Sequence, residues 1–152
     1  MSEVTVDLRR TIAAPRHEVY RAFLDPALLH QWMCPRTCAV SHAEVDERVG
    51  GRHRVEFLFP DGERHAFESV IRGLVPGERI DLDFTFEGPA VPLRRATRMT
   101  LTFADAGDGA TELRLVQSGL TGEPPFTETS VSNGWGGALA KLQALYEKET
   151  TR

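Results

Sequence analysis

Apolar and polar residues alternate with a period of two at the start of the chain. Val4, Val6, Leu8 and Ile12 share one parity, which predicts a half-buried strand over residues 3–12. The period then lengthens. In "AAPRHEVYRAF", Val19, Tyr20 and Phe23 recur at helical spacing, and Pro15 suits the first turn of that helix. "DPALLHQWM" predicts a second short helix. Asp25 is its N-cap, Pro26 its first helical residue, and Leu28, Leu29 and Trp32 its buried side.

From about residue 37 to 117 the period is two again, broken by turn residues. Parity also sets register, because paired residues share a face. "HRVEFLF" places His53, Val55, Phe57 and Phe59 together, and "RHAFESVI" places His65, Phe67, Ser69 and Ile71 together. The three-residue loop Pro60-Asp61-Gly62 pairs odd with odd, so His53 faces Ser69 and Phe57 faces His65. Pro76-Gly77 reads as the centre of a type II turn, and a two-residue loop there pairs odd with even. The next strand agrees: Ile80, Leu82, Phe84 and Phe86 are apolar, while Asp81, Asp83 and Thr85 are polar. Met99, Leu101 and Phe103 continue the apolar face, followed by Leu113 and Leu115. Glu56, Glu68, Asp81 and Asp83 have the opposite parity and read as a solvated face.

The last element, over about 128–149, is a helix. Val131, Trp135, Ala138, Leu139, Leu142, Leu145 and Tyr146 form its apolar stripe, with Lys141, Gln143, Glu147 and Lys148 turned away. The order of elements predicts an α+β domain with helices on one face of an antiparallel sheet. A 20-residue helix is about 30 Å long and 10–12 Å across. Six or seven strands make a sheet roughly 30 Å wide. The helix cannot cover that face, so the sheet must curl around it and enclose a hollow. Gly134, Gly136 and Gly137 each weaken a helix by about 1 kcal/mol relative to Ala. Close approach of helix to sheet explains their presence around Trp135, which then reaches into the hollow. A start of the helix beyond these glycines is the alternative.

Composition narrows the function. The 152 residues carry a net charge of -4 and no basic run, which disfavours a phosphate-backbone partner, so no nucleic acid is expected. No stretch resembles a membrane span or a secretory leader, so the expected location is the cytoplasm, with no membrane partner. Cys34 and Cys38 form no disulfide framework. His30, Cys34 and Cys38 share i, i+4, i+8 spacing, but Pro35 breaks the helix a metal site there would need. Neither a metal nor a cofactor is expected, and no nucleophile elbow, zinc-protease or phosphate-loop motif occurs. "VGGR" at 49–52 fits a tight bend.

Four patterns together carry a resemblance. They are Ala14-Pro15 with Val19-Tyr20; Asp25-Pro26 with Leu29 and Trp32; Asp46, Arg48, Gly50 and Gly51; and Gly134-Trp135 with Leu139 and Leu142. With them the chain, over about residues 5–148, resembles the START/birch-pollen-allergen superfamily and its helix-grip fold. Within it the chain is similar to the family named after the C-terminal domain of the activator of the ninety-kilodalton heat-shock protein's ATPase. The resemblance implies a deep apolar pocket between sheet and long helix, in one START-like domain over 1–152. It also implies a superfamily of lipid carriers, secondary-metabolite binders and polyketide cyclases.

The leading expectation is a binding module for a small hydrophobic or aromatic molecule, with no assigned catalytic residue. Its candidate ligand-binding residues are Trp32, His53, Val55, Phe57, His65, Phe67, Phe84, Phe86, Met99, Leu101, Leu113, Trp135 and Leu139. The alternatives are a cyclase- or hydrolase-like enzyme using His53 or His65, and a co-chaperone-like interaction module. Exposed edge strands add a homodimer to the expected partners.

Overall fold

The structure is a computed structural model and describes residues 3–35, 37–88, 96–123 and 126–150. It consists of β1 (Val4–Ile12), α1 (Arg16–Ala22), α2 (Pro26–Trp32), β2 (Ala39–Val45), β3 (Arg52–Leu58), β4 (Arg64–Val75), β5 (Arg79–Glu87), β6 (Thr97–Asp105), β7 (Thr111–Leu120) and α3 (Glu128–Thr150). The seven strands form one antiparallel sheet in the order β1-β7-β6-β5-β4-β3-β2. With two short helices after β1 and the long C-terminal helix, this is the α+β architecture that the residue pattern predicts, in the helix-grip arrangement that the resemblance implies. The loop segments 89–95 and 124–125, parts of two connections between predicted elements, lie outside the described residues.

Local chemistry explains the helix starts. The Asp25 carboxylate accepts the Ala27 N–H at 3.0 Å, and Pro26 opens α2 without losing a needed donor. Helix α2 stops at Trp32, because Met33 has left helical geometry (ψ 70°), two residues before Pro35. His30 is therefore exposed on α2, whereas Cys34 and Cys38 are buried in the turn that follows.

The β3–β4 hairpin has the predicted register, with Phe57 opposite His65 and His53 opposite Ser69. The β4–β5 hairpin reaches its register by another route. Glu78 N–H bonds Val75 O at 2.9 Å around Pro76-Gly77, and Gly77 has φ +72°, as a type II turn requires. Pairing, however, closes at Val75 with Arg79, leaving three residues in the loop. That pairs like parities. A bulge between Ile71 and Gly73 then inserts one residue and restores the odd–even pairing of Ile71 with Leu82 and Ser69 with Phe84.

The inward set packs into one core that runs from Ile12 through Val55, Met99, Leu101 and Leu113 to Leu139 and Leu142. On the outer face, Arg54 bridges Glu56, Glu68 and Glu87 at 2.8–3.2 Å, and Asp83 pairs with Arg72 and Arg98. "VGGR" is a tight bend: Gly50 N–H bonds Ile71 O at 2.7 Å, and Ile71 N–H bonds Gly51 O at 2.9 Å. Two side chains turned away from the apolar stripe nonetheless bond to neighbouring elements. Gln143 donates to Thr11 O at 3.0 Å, and Lys141 turns into the α2–β2 connection. Long polar side chains reach neighbours that a helical wheel does not display.

Candidate functional site

Most of the sheet-to-helix interior is filled with side chains, and a hollow persists at one end. It is half open and has a volume of about 160 Å³. Phe67, Phe84 and Phe86 form its sheet wall, since the β4–β5 register sets Phe67 against Phe86. Val131, Gly134 and Trp135, one helical turn of α3, form the opposite wall, and Leu120, Phe126 and Pro35 contribute to the rim.

The glycines belong to α3 itself. Close approach does not explain Gly134: a methyl group there would meet nothing within 4 Å, and a methyl at Gly136 would only touch Arg10 at 3.6 Å. Gly134 instead lines the hollow, and its missing side chain leaves part of that space unfilled.

Trp135 stacks on Phe67 at a centroid distance of 5.2 Å and an interplanar angle of 24°, with Phe84 at 5.7 Å. Its indole N–H donates to Gln117 Oε1 at 2.9 Å. Gln117 Nε2 donates to Thr97 Oγ1, which donates to Phe84 O. This relay satisfies polar atoms that burial would otherwise leave costly. What remains is a largely aromatic surface in which the indole N–H and the Gln117 amide are already bonded to each other or to Thr97.

The other candidate residues occupy different places. Trp32 is fully buried in the core, edge-on to Phe23 at 4.8 Å, and donates its indole N–H to Ala22 O. Val55, Phe57, Met99, Leu101, Leu113 and Leu139 are core residues that do not line this hollow. His53 is buried, with Nε2–H donating to Phe23 O at 2.7 Å. Burial pushes its imidazole pKa down, against the weaker opposing effect of that bond. Its Nδ1 and the Oγ of Ser69 opposite have no hydrogen-bond partner among the described residues. His65 donates Nε2–H to Glu63 at 2.7 Å, packs against Phe59 and Phe86, and occupies the space that a side chain at Gly88 would need. Neither histidine lines the hollow.

Gln117 is a residue of the candidate site that hydrophobic pattern alone misses. Its signal is parity: it continues Leu113 and Leu115 inward, and a polar residue on an apolar face needs a buried partner. Phe126 lies in a connection without periodicity and carries no comparable signal.

Comparison with known proteins gives consistent results. The sequence profile described as activator of Hsp90 ATPase homolog 1-like protein matches residues 13–147. The solved structure of protein CV1439 from Chromobacterium violaceum is 38% identical, with a TM-score of 0.80 over 94% of this chain and 96% of that one. Protein NE0264 from Nitrosomonas europaea, 23% identical, shares the fold with a TM-score of 0.79 over 96% of each chain. DynU16, a protein from the dynemicin biosynthetic locus, is 22% identical and matches 95% of this chain with 48% of its own at a TM-score of 0.70. No curated relative matches the sequence. Among the described residues no helix is long and apolar enough to cross a membrane.

Proposed function

This chain belongs to the activator of Hsp90 ATPase homolog 1-like family, and on that footing we propose that its cavity binds a small apolar molecule of one or two aromatic rings. One observation carries the reading: a hollow of about 160 Å³ walled by Phe67, Phe84, Phe86, Phe126 and Trp135. Its size sets the ligand class. An apolar cavity of about 150 Å³ accepts benzene, whereas sites for drug-sized ligands run from roughly 300 to 1,000 Å³. That volume suits one or two rings better than a sterol or a long acyl chain. Each offset or edge-on aromatic pairing adds about 0.5–1.5 kcal/mol beyond area burial. Gln117 has its bonds within the wall, so shape and stacking dominate recognition.

The test is calorimetric titration with indole, naphthalene and a long-chain fatty acid, on the native chain and on Gly134→Leu. The two aromatics bind the native chain, the fatty acid does not, and the variant loses binding. Absence of heat with every aromatic probe overturns the reading. A cyclase-like reaction has less support, because no histidine lines the cavity.

A further inference from the structure

The most unusual polar cluster lies where α3 meets the α2–β2 turn. Lys141 Nζ donates to Pro35 O at 2.8 Å and Cys38 O at 3.0 Å, and rests 3.1 Å from Cys34 Sγ. The two carbonyls hold the nitrogen in place, so it cannot leave the sulfur without giving up both bonds. Cys34 Sγ in turn donates to Cys38 O at 3.1 Å, which fixes the sulfur from its other side. Holding a lysine side chain this way costs rotamer freedom. A short apolar residue would spare that cost, so the contact itself calls for a reason.

Among the described residues Cys34 Sγ hydrogen-bonds one carbonyl oxygen and one amine nitrogen, and of these the nitrogen can become covalently linked. A thiol's first oxidation product, the sulfenic acid, reacts with neighbouring nitrogen or sulfur.

We propose that Cys34 and Lys141 are a modification site, joined by oxidation through one bridging oxygen into an N–O–S crosslink. The co-reactant is dioxygen. The ammonium first releases a proton to solvent. The thiol then gives up its S–H hydrogen and the amine one N–H hydrogen. Dioxygen takes four electrons and its O–O bond breaks. One oxygen forms the new S–O and O–N bonds, and the other leaves as water with the two hydrogens. Sulfur and nitrogen are each oxidised by two electrons. The crosslink staples the middle of α3 to the α2–β2 turn. Pro35 also borders the cavity, so the staple fixes one stretch of its rim.

The experiment compares the full chain kept under dithiothreitol with the same chain exposed to air and to hydrogen peroxide. Intact mass and non-reducing peptide mapping are the readouts. The expected product gains one oxygen and loses two hydrogens, maps to a Cys34–Lys141 peptide pair, and reverts with dithiothreitol. Cys34→Ser and Lys141→Arg abolish it, and Cys38→Ser keeps it. Its melting temperature shifts upward, and reduction reverses the shift. The proposal is overturned by an unchanged mass, by oxygen added without a crosslink, or by loss of two hydrogens alone as in a Cys34–Cys38 disulfide. The native chain's mass decides the matter even where a variant fails to fold.

Discussion

Trp135 and Gln117 are joined across the interior by a hydrogen bond of 2.9 Å, between an indole N–H on α3 and an amide oxygen on β7. Both residues are buried. The bond ties the helix to the sheet beside the hollow, and it orients the ring that forms part of that hollow's wall.

Replacing Gln117 tests this tie. Gln117→Leu leaves the indole N–H unpaired in an apolar setting, a loss of about 1–3 kcal/mol. Urea unfolding should show that loss. Tryptophan emission should change as well, because Trp135 is freed while Trp32 keeps its bond to Ala22 O.

Gly134 separates stability from binding. Gly134→Ala removes a helix-weakening residue, worth up to about 1 kcal/mol, and its methyl group enters open space. The variant should melt higher than the native chain and bind indole more weakly. Stability and affinity moving in opposite directions, measured by calorimetry on one preparation, is the expected outcome.

Gly51 is the contrasting case. A methyl group there would collide with the backbone oxygens of Asp46 and Arg48 in the β2–β3 bend. Backbone cannot rotate aside as a side chain can. Gly51→Ala should cost about 1–3 kcal/mol, as overpacking does, in chemical denaturation.

His53 sets a pH dependence. Burial lowers its native pKa below the unfolded value of about 6.5, so the unfolded chain binds the extra proton more readily. Stability is therefore complete above that value and falls as the pH drops through it toward the native pKa. The charged group nearest in effect, Glu68, opposes the shift only weakly. Denaturant midpoints measured between about pH 7 and 5 should fall in the native chain and stay flatter in His53→Gln. Carboxylates such as Glu68 and Asp83, whose arginine partners outweigh burial and hold them below their usual range, enter only in stronger acid.

Much of the fold is legible in the residue pattern because its signals are local. Asp25-Pro26 caps a helix by its own chemistry, and two-residue alternation assigns Phe57, Phe67 and Phe84 to the inner face wherever the strands lie. The β4–β5 hairpin shows the limit of that reasoning. Its strands meet with the predicted parity, but a three-residue loop and a bulge at Arg72 produce it together, and neither leaves a distinct sequence signal.

The sequence alone determined which residues face inward, where helices begin, and that the inner face is richer in aromatics than one helix can cover. Tertiary structure alone decided which inward residues pack solidly and which surround space. Phe57 and Phe86 share a parity class with the core, yet only Phe86 lines the hollow. It decided as well that Gly134 leaves a gap and that Lys141 turns toward Cys34. The reason is physical. Alternation and helical period fix a side chain's direction relative to its own backbone, whereas a cavity or a cross-chain contact depends on how far apart two backbones stand, and sheet curvature and helix placement set that distance.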